Sequence, residues 1–360
     1  MFNRIDGTIA RISMQADFRR FSLNRLFLIA GVVSIVAVPH AYADGMVSVK
    51  NHAAPRELAA GARTEDWAAF LGPAHNGVSR ETHLRKTFGE GEPRLLWSVA
   101  RGASYAAPAV AGDRLFHFHR EGEHDLLDCH HRETGAHIWR QRISTGYTDR
   151  FNFGDGPRAS PVVDGERVYV FNPEGKLQCL ATADGKVLWS QDTAEKFDAR
   201  PDFFGVGSTP LVLDDRLIVQ VGAPVRPSLV ALNKLTGELL WQAGQDWRAG
   251  YASPIPANMR GEMRVFALLG GDSDPPVGGL LVVDPAGGRV TFEFPFRSRR
   301  YESVNASSPV IADDRVFISS SYGTGGVALQ ALAGGGFEVA WKTRDLGCHF
   351  ATPIVREGYL

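Results

Sequence analysis

A proline followed by aliphatic residues recurs six times along this chain, at Pro108, Pro161, Pro210, Pro254, Pro309 and Pro353, in steps of 53, 49, 44, 55 and 44 residues. A second mark, an aromatic residue after a turn, recurs at Trp97, Trp139, Trp189, Trp241, Phe292 and Trp341, in steps of 42, 50, 52, 51 and 49. Two independent marks on one period of roughly fifty residues are an internal repeat, and a repeat constrains the fold before any local motif does. The second unit reads as four strands. Ala159 to Val163 is a short apolar strand with proline near its start, where a missing N–H does least harm. Asp164-Gly165 is a hairpin turn. Arg167 to Phe171 alternates in the period of a strand, Lys176 to Ala181 is a third strand, and Val187 to Ser190 is an outer strand that carries Trp189. Four antiparallel strands per period match one blade of an all-β propeller, whose radial stacking buries sheet faces and leaves only short edges.

The aromatic residue explains why the spacing is kept. A tryptophan buries ~150–250 Å², worth at most about 4–6 kcal/mol at ~25 cal/mol per Å². From an outer strand, Trp97, Trp139, Trp189, Trp241 and Trp341 are expected to fill the seams between blades, with Phe292 as an apolar substitute in the fourth unit.

Residues 26–38 form the only long apolar run. Arg19, Arg20 and Arg25 precede it and Ala41-Tyr42-Ala43 follows it, which is the pattern of a secretory signal peptide over residues 1–43. A run of thirteen residues is short for a membrane span. Residues 44–64 are polar and Ala-rich and read as a flexible leader, and residues 65–360 as the propeller domain. A periplasmic or secreted protein with no membrane span after cleavage is expected. Five Arg and two Asp give the first 43 residues a charge of +3, so the remainder carries −4 of the net −1. A mildly acidic body without a basic run argues against nucleic acid as a partner.

Signatures of catalysis are scarce. No G-x-S-x-G, H-E-x-x-H or phosphate-binding loop occurs. Unit one is rich in histidine, and His117 and His119 lie two apart on one strand face, a candidate metal pair that would need a further ligand. Cys129 and Cys179 occupy equivalent positions of adjacent units, too far apart for a disulfide, and Cys348 has no partner by the same reasoning. The most site-like residues precede the repeat prolines, where innermost strands approach the axis: Tyr105, Asp155, Arg158, Arg248, Tyr251, Tyr301, Asn305 and His349. Long irregular connections such as 146–157 and 196–207 converge there, and such mouths are where ligands bind. Hydrogen bonding between blades by buried polar groups is the competing use of the same residues.

Thr134-Gly135-Ala136-His137-Ile138-Trp139, Asp184-Gly185-Lys186-Val187-Leu188-Trp189 and Thr236-Gly237-Glu238-Leu239-Leu240-Trp241 resemble the tryptophan-docking motif of PQQ-like repeats. These are found in quinoprotein dehydrogenases, in outer-membrane assembly propellers and in secreted PQQ-like repeat proteins of planctomycete-type bacteria. The resemblance covers residues 65–360 and implies seven or eight blades, so the chain, with five full units and the start of a sixth, is expected to be incomplete at its C-terminus. Quinoprotein alcohol dehydrogenases use a vicinal disulfide and calcium beside the quinone, and this chain has no adjacent cysteines. The resemblance therefore implies no catalytic residue here. The function expected is a non-catalytic scaffold of the cell envelope that binds a protein or small-molecule ligand and needs no cofactor. The alternative is a PQQ- and calcium-dependent dehydrogenase of alcohols or sugars.

Overall fold

The computed structural model describes residues 47–89, 93–225 and 227–360. The apolar run and the expected signal peptide lie outside these residues. Two short strands, β1 (Val49–Asn51) and β2 (Trp97–Val99), form an antiparallel ribbon ahead of the repeats. Five four-stranded antiparallel sheets follow. Blade one comprises β3 (Ala109–Ala111), β4 (Arg114–Glu121), β5 (His124–His131) and β6 (His137–Ser144); blade two β7 (Val162–Asp164), β8 (Arg167–Phe171), β9 (Lys176–Ala181) and β10 (Val187–Asp192). Blade three comprises β11 (Leu211–Leu213), β12 (Arg216–Gln220), β13 (Leu229–Asn233) and β14 (Leu239–Ala243); blade four β15 (Ile255–Met259), β16 (Glu262–Leu269), β17 (Gly279–Val283) and β18 (Val290–Pro295). Blade five comprises β19 (Val310–Ala312), β20 (Arg315–Ser320), β21 (Gly325–Ala331) and β22 (Phe337–Thr343). Innermost strands of successive blades touch, β3 with β7, β7 with β11 and β11 with β15, so the sheets stand around a common axis as propeller blades. One helical turn, α1 (Thr193–Phe197), capped by Asp192 Oδ1 accepting from Glu195 N, interrupts the connection from blade two to blade three.

Four seams form the core. Tyr169, Phe171 and Leu177 of blade two pack on Leu217, Val219 and Leu232 of blade three, and Phe266 and Leu268 of blade four pack on Ile318 and Leu329 of blade five. Each outer strand carries one bulge at the same place, so that the residue before the aromatic (Ile138, Leu188, Leu240, Thr291 or Ala340) has no cross-strand partner. The aromatic side chain then reaches the next turn of the ring. Trp139 Nε1 donates to Thr182 O at 2.9 Å, Trp189 Nε1 to Lys234 O at 3.1 Å and Trp241 Nε1 to Pro285 O at 2.8 Å, each a carbonyl of the following blade. Beneath each indole lies a glycine of that blade's turn. A Cβ on Gly185 would stand 2.6 Å from Trp139, and one on Gly288 2.6 Å from Trp241. The seam between blades four and five is built differently, with Phe292 packed 4.9 Å from Phe337. Trp341 lies against Phe317 with ring centroids 5.5 Å apart and is 40% exposed.

A belt of hydroxyls runs around the hub. The residue before each repeat proline donates its N–H to the hydroxyl of the equivalent residue one blade on: Ala107 to Ser160, Ser160 to Thr209, Thr209 to Ser253, Ser253 to Ser308 and Ser308 to Thr352, all at 3.0–3.1 Å. Thr209→Val keeps the shape and removes one acceptor, leaving the buried Ser160 N–H unpaired. A loss of about 1–3 kcal/mol in urea unfolding is expected, whereas Thr209→Ser should be close to neutral. The segment around Trp67 packs on the innermost strands of blades one and two. Trp67 pairs with Val110, Val163 N donates to Ala68 O at 2.8 Å, and Asp66 Oδ2 accepts from Gly112 N at 3.0 Å. This segment occupies the inner edges of β3 and β7, which would otherwise be unpaired. Among the described residues no helix is long and apolar enough to cross a membrane.

Candidate functional site

At the pre-proline end, loops from non-adjacent blades meet, which places them on the axis. The loop of residues 146–157 joins blades one and two, and that of residues 198–207 joins blades two and three. Phe151 of the first packs on Phe203 and Phe204 of the second, with ring centroids 6.0 and 5.4 Å apart. Phe204 meets Tyr251 at 5.6 Å, and Phe203 meets Tyr301 edge-on at 5.8 Å. Val304 and Ala306 close the cluster from below. The result is an aromatic plug that leaves a platform of rings at the surface. Tyr105 is 62% exposed, Phe153 63% and Tyr301 48%.

Arginines hold the plug. Arg158 donates to Asp149 Oδ2 at 2.8 Å and to the Gly154 and Gly156 carbonyls, and its guanidinium lies 5.3 Å from the Tyr105 ring. Asp149 N donates in turn to Asp155 Oδ1 at 2.7 Å, so Asp155 shapes the loop. Arg150 lies 4.5 Å over Phe203 and reaches Asp272 of blade four at 3.2 Å, a tie across the axis. Arg248 donates to the Asp272 and Gly222 carbonyls. Arg297 spends its donors on Ser303, Ser273 and the Val277 carbonyl, and burial lowers its pKa from the ordinary value. Burial pushes the Tyr251 phenol well above its usual range, and its oxygen accepts from Phe204 N at 2.8 Å.

Tyr105, Arg158, Tyr251 and Tyr301 thus fall in one cluster, with Asp155 and Arg248 supporting it. Asn305 does not line the mouth. It is fully buried beneath and donates through Nδ2 to the Leu269 and Phe296 carbonyls, both at 2.8 Å. His349 stands apart, with Nε2 2.7 Å from Tyr322 Oη and its ring on Phe350. Phe151, Phe153, Phe203, Phe204, Arg150 and Asp202 escape a sequence reading that follows the pre-proline positions. Their signal is the pairing of phenylalanines with Asp or Arg in the two longest connections.

The histidines of blade one form a closed network, not an ion cage. His119 Nδ1 accepts from Gly102 N at 3.0 Å and its Nε2 donates to Asp128 Oδ2 at 2.9 Å, so neither nitrogen has a lone pair to offer. His117 stacks on His119 at 4.5 Å, and burial followed by the neighbouring His119 lowers its pKa to about 4. The candidate pair His117 and His119 is therefore read as packing. Among the described residues no group of three or more His, Cys, Asp or Glu is placed to hold a metal ion. All three cysteines are unbridged.

The family model described as outer membrane protein assembly factor BamB matches residues 123–360. The chain belongs to this BamB-type family of PQQ-like repeat propellers. No curated protein matches the chain. Among solved structures, it is similar to BamB from Moraxella catarrhalis, with 21% identity and a TM-score of 0.44 over 66% of this chain and 59% of that one. It is also similar to a europium-containing methanol dehydrogenase, with 13% identity and a TM-score of 0.50 over 64% and 50% of the two chains. For the quinohemoprotein alcohol dehydrogenase from Comamonas testosteroni the identity is 18% and the TM-score 0.45, over 66% and 41%. The chain thus spans less than two thirds of each of these proteins, and likeness at this level speaks for the fold alone. At the mouth of this BamB-type chain Phe151, Phe203, Phe204 and Tyr251 pack ring against ring, and the sequence has no adjacent cysteines.

Proposed function

We propose that this BamB-type propeller is a non-catalytic scaffold of the cell envelope that binds a partner protein on its axial mouth. One observation carries the reading. Loops from blades one to four fill the axis from within and leave a raised platform of Tyr105, Phe153 and Tyr301 beside Arg150. Tyrosine, phenylalanine and arginine are residue types enriched where proteins meet: the rings offer large area for little lost side-chain entropy, and arginine offers several hydrogen-bond donors. A mouth filled by packed rings suits a surface partner better than a small molecule that must be enclosed. An envelope location is in keeping with the family and with the signal-like N-terminus.

The test is a photo-crosslinking residue at position 153, compared with one at the exposed Met263 on blade four, in cells that express the full chain. A discrete adduct is expected from position 153 only. Tyr105→Ala combined with Tyr301→Ala, in the chain that carries the crosslinker at position 153, should abolish it and leave the unfolding midpoint close to unchanged, since both rings stand about half or more in water. Equal labelling at both positions would end the proposal. So would a retained chromophore and dye-linked oxidation of alcohols after adding PQQ and calcium.

A further inference from the structure

Beneath the platform lies an acid that the binding surface itself does not use. Asp202 sits in the loop of residues 198–207, between Ala199 and Phe203. Its Oδ1 accepts from Asp272 N of blade four at 3.0 Å. Its Oδ2 is enclosed and has no hydrogen-bond partner. Two guanidinium groups are near, but both are spent elsewhere, Arg248 on the Asp272 and Gly222 carbonyls and Arg297 on Ser303, Ser273 and Val277. What Oδ2 meets instead is another acceptor. A Cβ on Gly271 would stand 1.7 Å from Asp202 Oδ2 and 2.1 Å from the Ala249 carbonyl oxygen, so the two oxygens crowd one point beside that glycine. Two acceptors facing each other in an enclosed space repel unless a proton lies between them.

We propose that Asp202 is a carboxylic acid whose proton bridges to the Ala249 carbonyl, latching the 198–207 loop to blade four, and that loss of this proton releases the platform. The inference rests on the binding role of the mouth only for its consequence, which is pH control of partner binding; the latch is a property of the chain alone. The groups that face Asp202 are Arg248 from the connection between blades three and four, Asp272 from the blade-four loop, Arg297 beyond β18, and the phenol of Tyr251. Burial dominates them. It raises the Asp202 pKa from the ordinary carboxyl value to about 7, with Asp272 N and Arg248 pulling the other way. The folded value is raised, so the folded state binds more protons than the unfolded chain. Stability from this group is therefore greatest below the unfolded value and declines as pH rises from about 4 to about 7.

Hydrogen exchange of residues 198–207 and 270–277 tests the latch without any partner. In the wild type, exchange of these segments should rise between about pH 6 and about pH 8 after correction for intrinsic rates, while the strands of blade two stay protected. The acid form falls about tenfold per pH unit above the midpoint, and protection should follow it. Asp202→Asn retains the acceptor for Asp272 N and supplies an N–H to Ala249, so it should stay protected at both pH values. Asp202→Ala should exchange fast at both. Asp125 in blade one, raised by burial to about 6, titrates nearby in pH, so the local readout is the one that decides. Identical pH profiles in the wild type and Asp202→Asn would overturn the proposal. So would protection that follows added sodium or calcium and not pH, since a cation would then sit between the oxygens. If the latch behaves as expected and crosslinking at position 153 fails, the binding role falls and the latch stands.

Discussion

Trp139→Ala is expected to destabilise the propeller by about 3–5 kcal/mol, the usual cost of emptying a core aromatic site. The indole is 8% exposed, packs with Phe116 and with Val168 and Val170 of blade two, and satisfies the Thr182 carbonyl. Its removal opens a cavity at the seam and leaves the Thr182 carbonyl with Arg114 as its remaining donor. Gly185→Ala attacks the same contact from the other side. Gly185 has φ of 74°, and a Cβ there would stand 2.6 Å from the Trp139 ring. It should cost about 1–2 kcal/mol for the left-handed backbone and about 1–3 kcal/mol more for displacing the indole. In the Trp139→Ala background only the backbone part should remain, so the double variant loses less than the sum of the singles. Gly112→Ala is the control, with φ of 58° and nothing within 4 Å. It should show the backbone cost alone, with or without Trp139. Urea unfolding of the wild type, the three variants and the two control proteins measures all of this. Strict additivity at Gly185 would mean that the indole does not rest on the glycine.

This contact also shows how far a sequence can be read. The turn glycine and the tryptophan are both visible in Asp184-Gly185 and Trp189, and strands such as 167–171 and 176–181 have their bounds in plain alternation. Yet the glycine of one blade serves the tryptophan of the blade before it, a pairing across about fifty residues that no local pattern states. The bulge that aims each indole is equally silent, because Leu188 and Leu240 read as ordinary strand residues until the register is known. At the mouth, positions before the prolines are legible because the period marks them. Asn305 carries the same mark as Tyr301 but lies under the ring cluster, where its amide ties β16 to the end of β18. Phe203 and Phe204 have no periodic counterpart, so only the folded loops reveal that they cross the axis. The spacing of His117 and His119 puts them on one strand face, but the charge that settles their surroundings is Arg140, two strands further on, held by Asp128 of the strand between.

That arginine leads to the second large effect. Asp128→Ala is expected to cost about 3–5 kcal/mol, since removing one partner from a buried charged pair strands the other. Asp128 lies on β5, 2% exposed, opposite His117. Its carboxylate accepts from Arg140 Nε at 2.6 Å and Nη2 at 2.8 Å, and from His119 Nε2 at 2.9 Å. Burial by itself would raise its pKa. The two-pronged Arg140 contact and His119 outweigh burial and hold the carboxyl well below the usual carboxylate range. A lowered folded value means stability that is fully present above the unfolded value, about 4, and is lost as pH falls toward the folded one. The gap between wild type and Asp128→Ala should therefore be widest near neutral pH and narrow as pH drops below about 4. Asp128→Asn keeps one acceptor oxygen and loses the charge and the second acceptor, and it should fall between the two. The damage should start in blade one, where Trp97 stacks on His130 of this same face, so hydrogen exchange of β4 to β6 is expected to report the loosening before the other blades unfold. A gap that is constant with pH would show that Asp128 acts through shape and not through its charge.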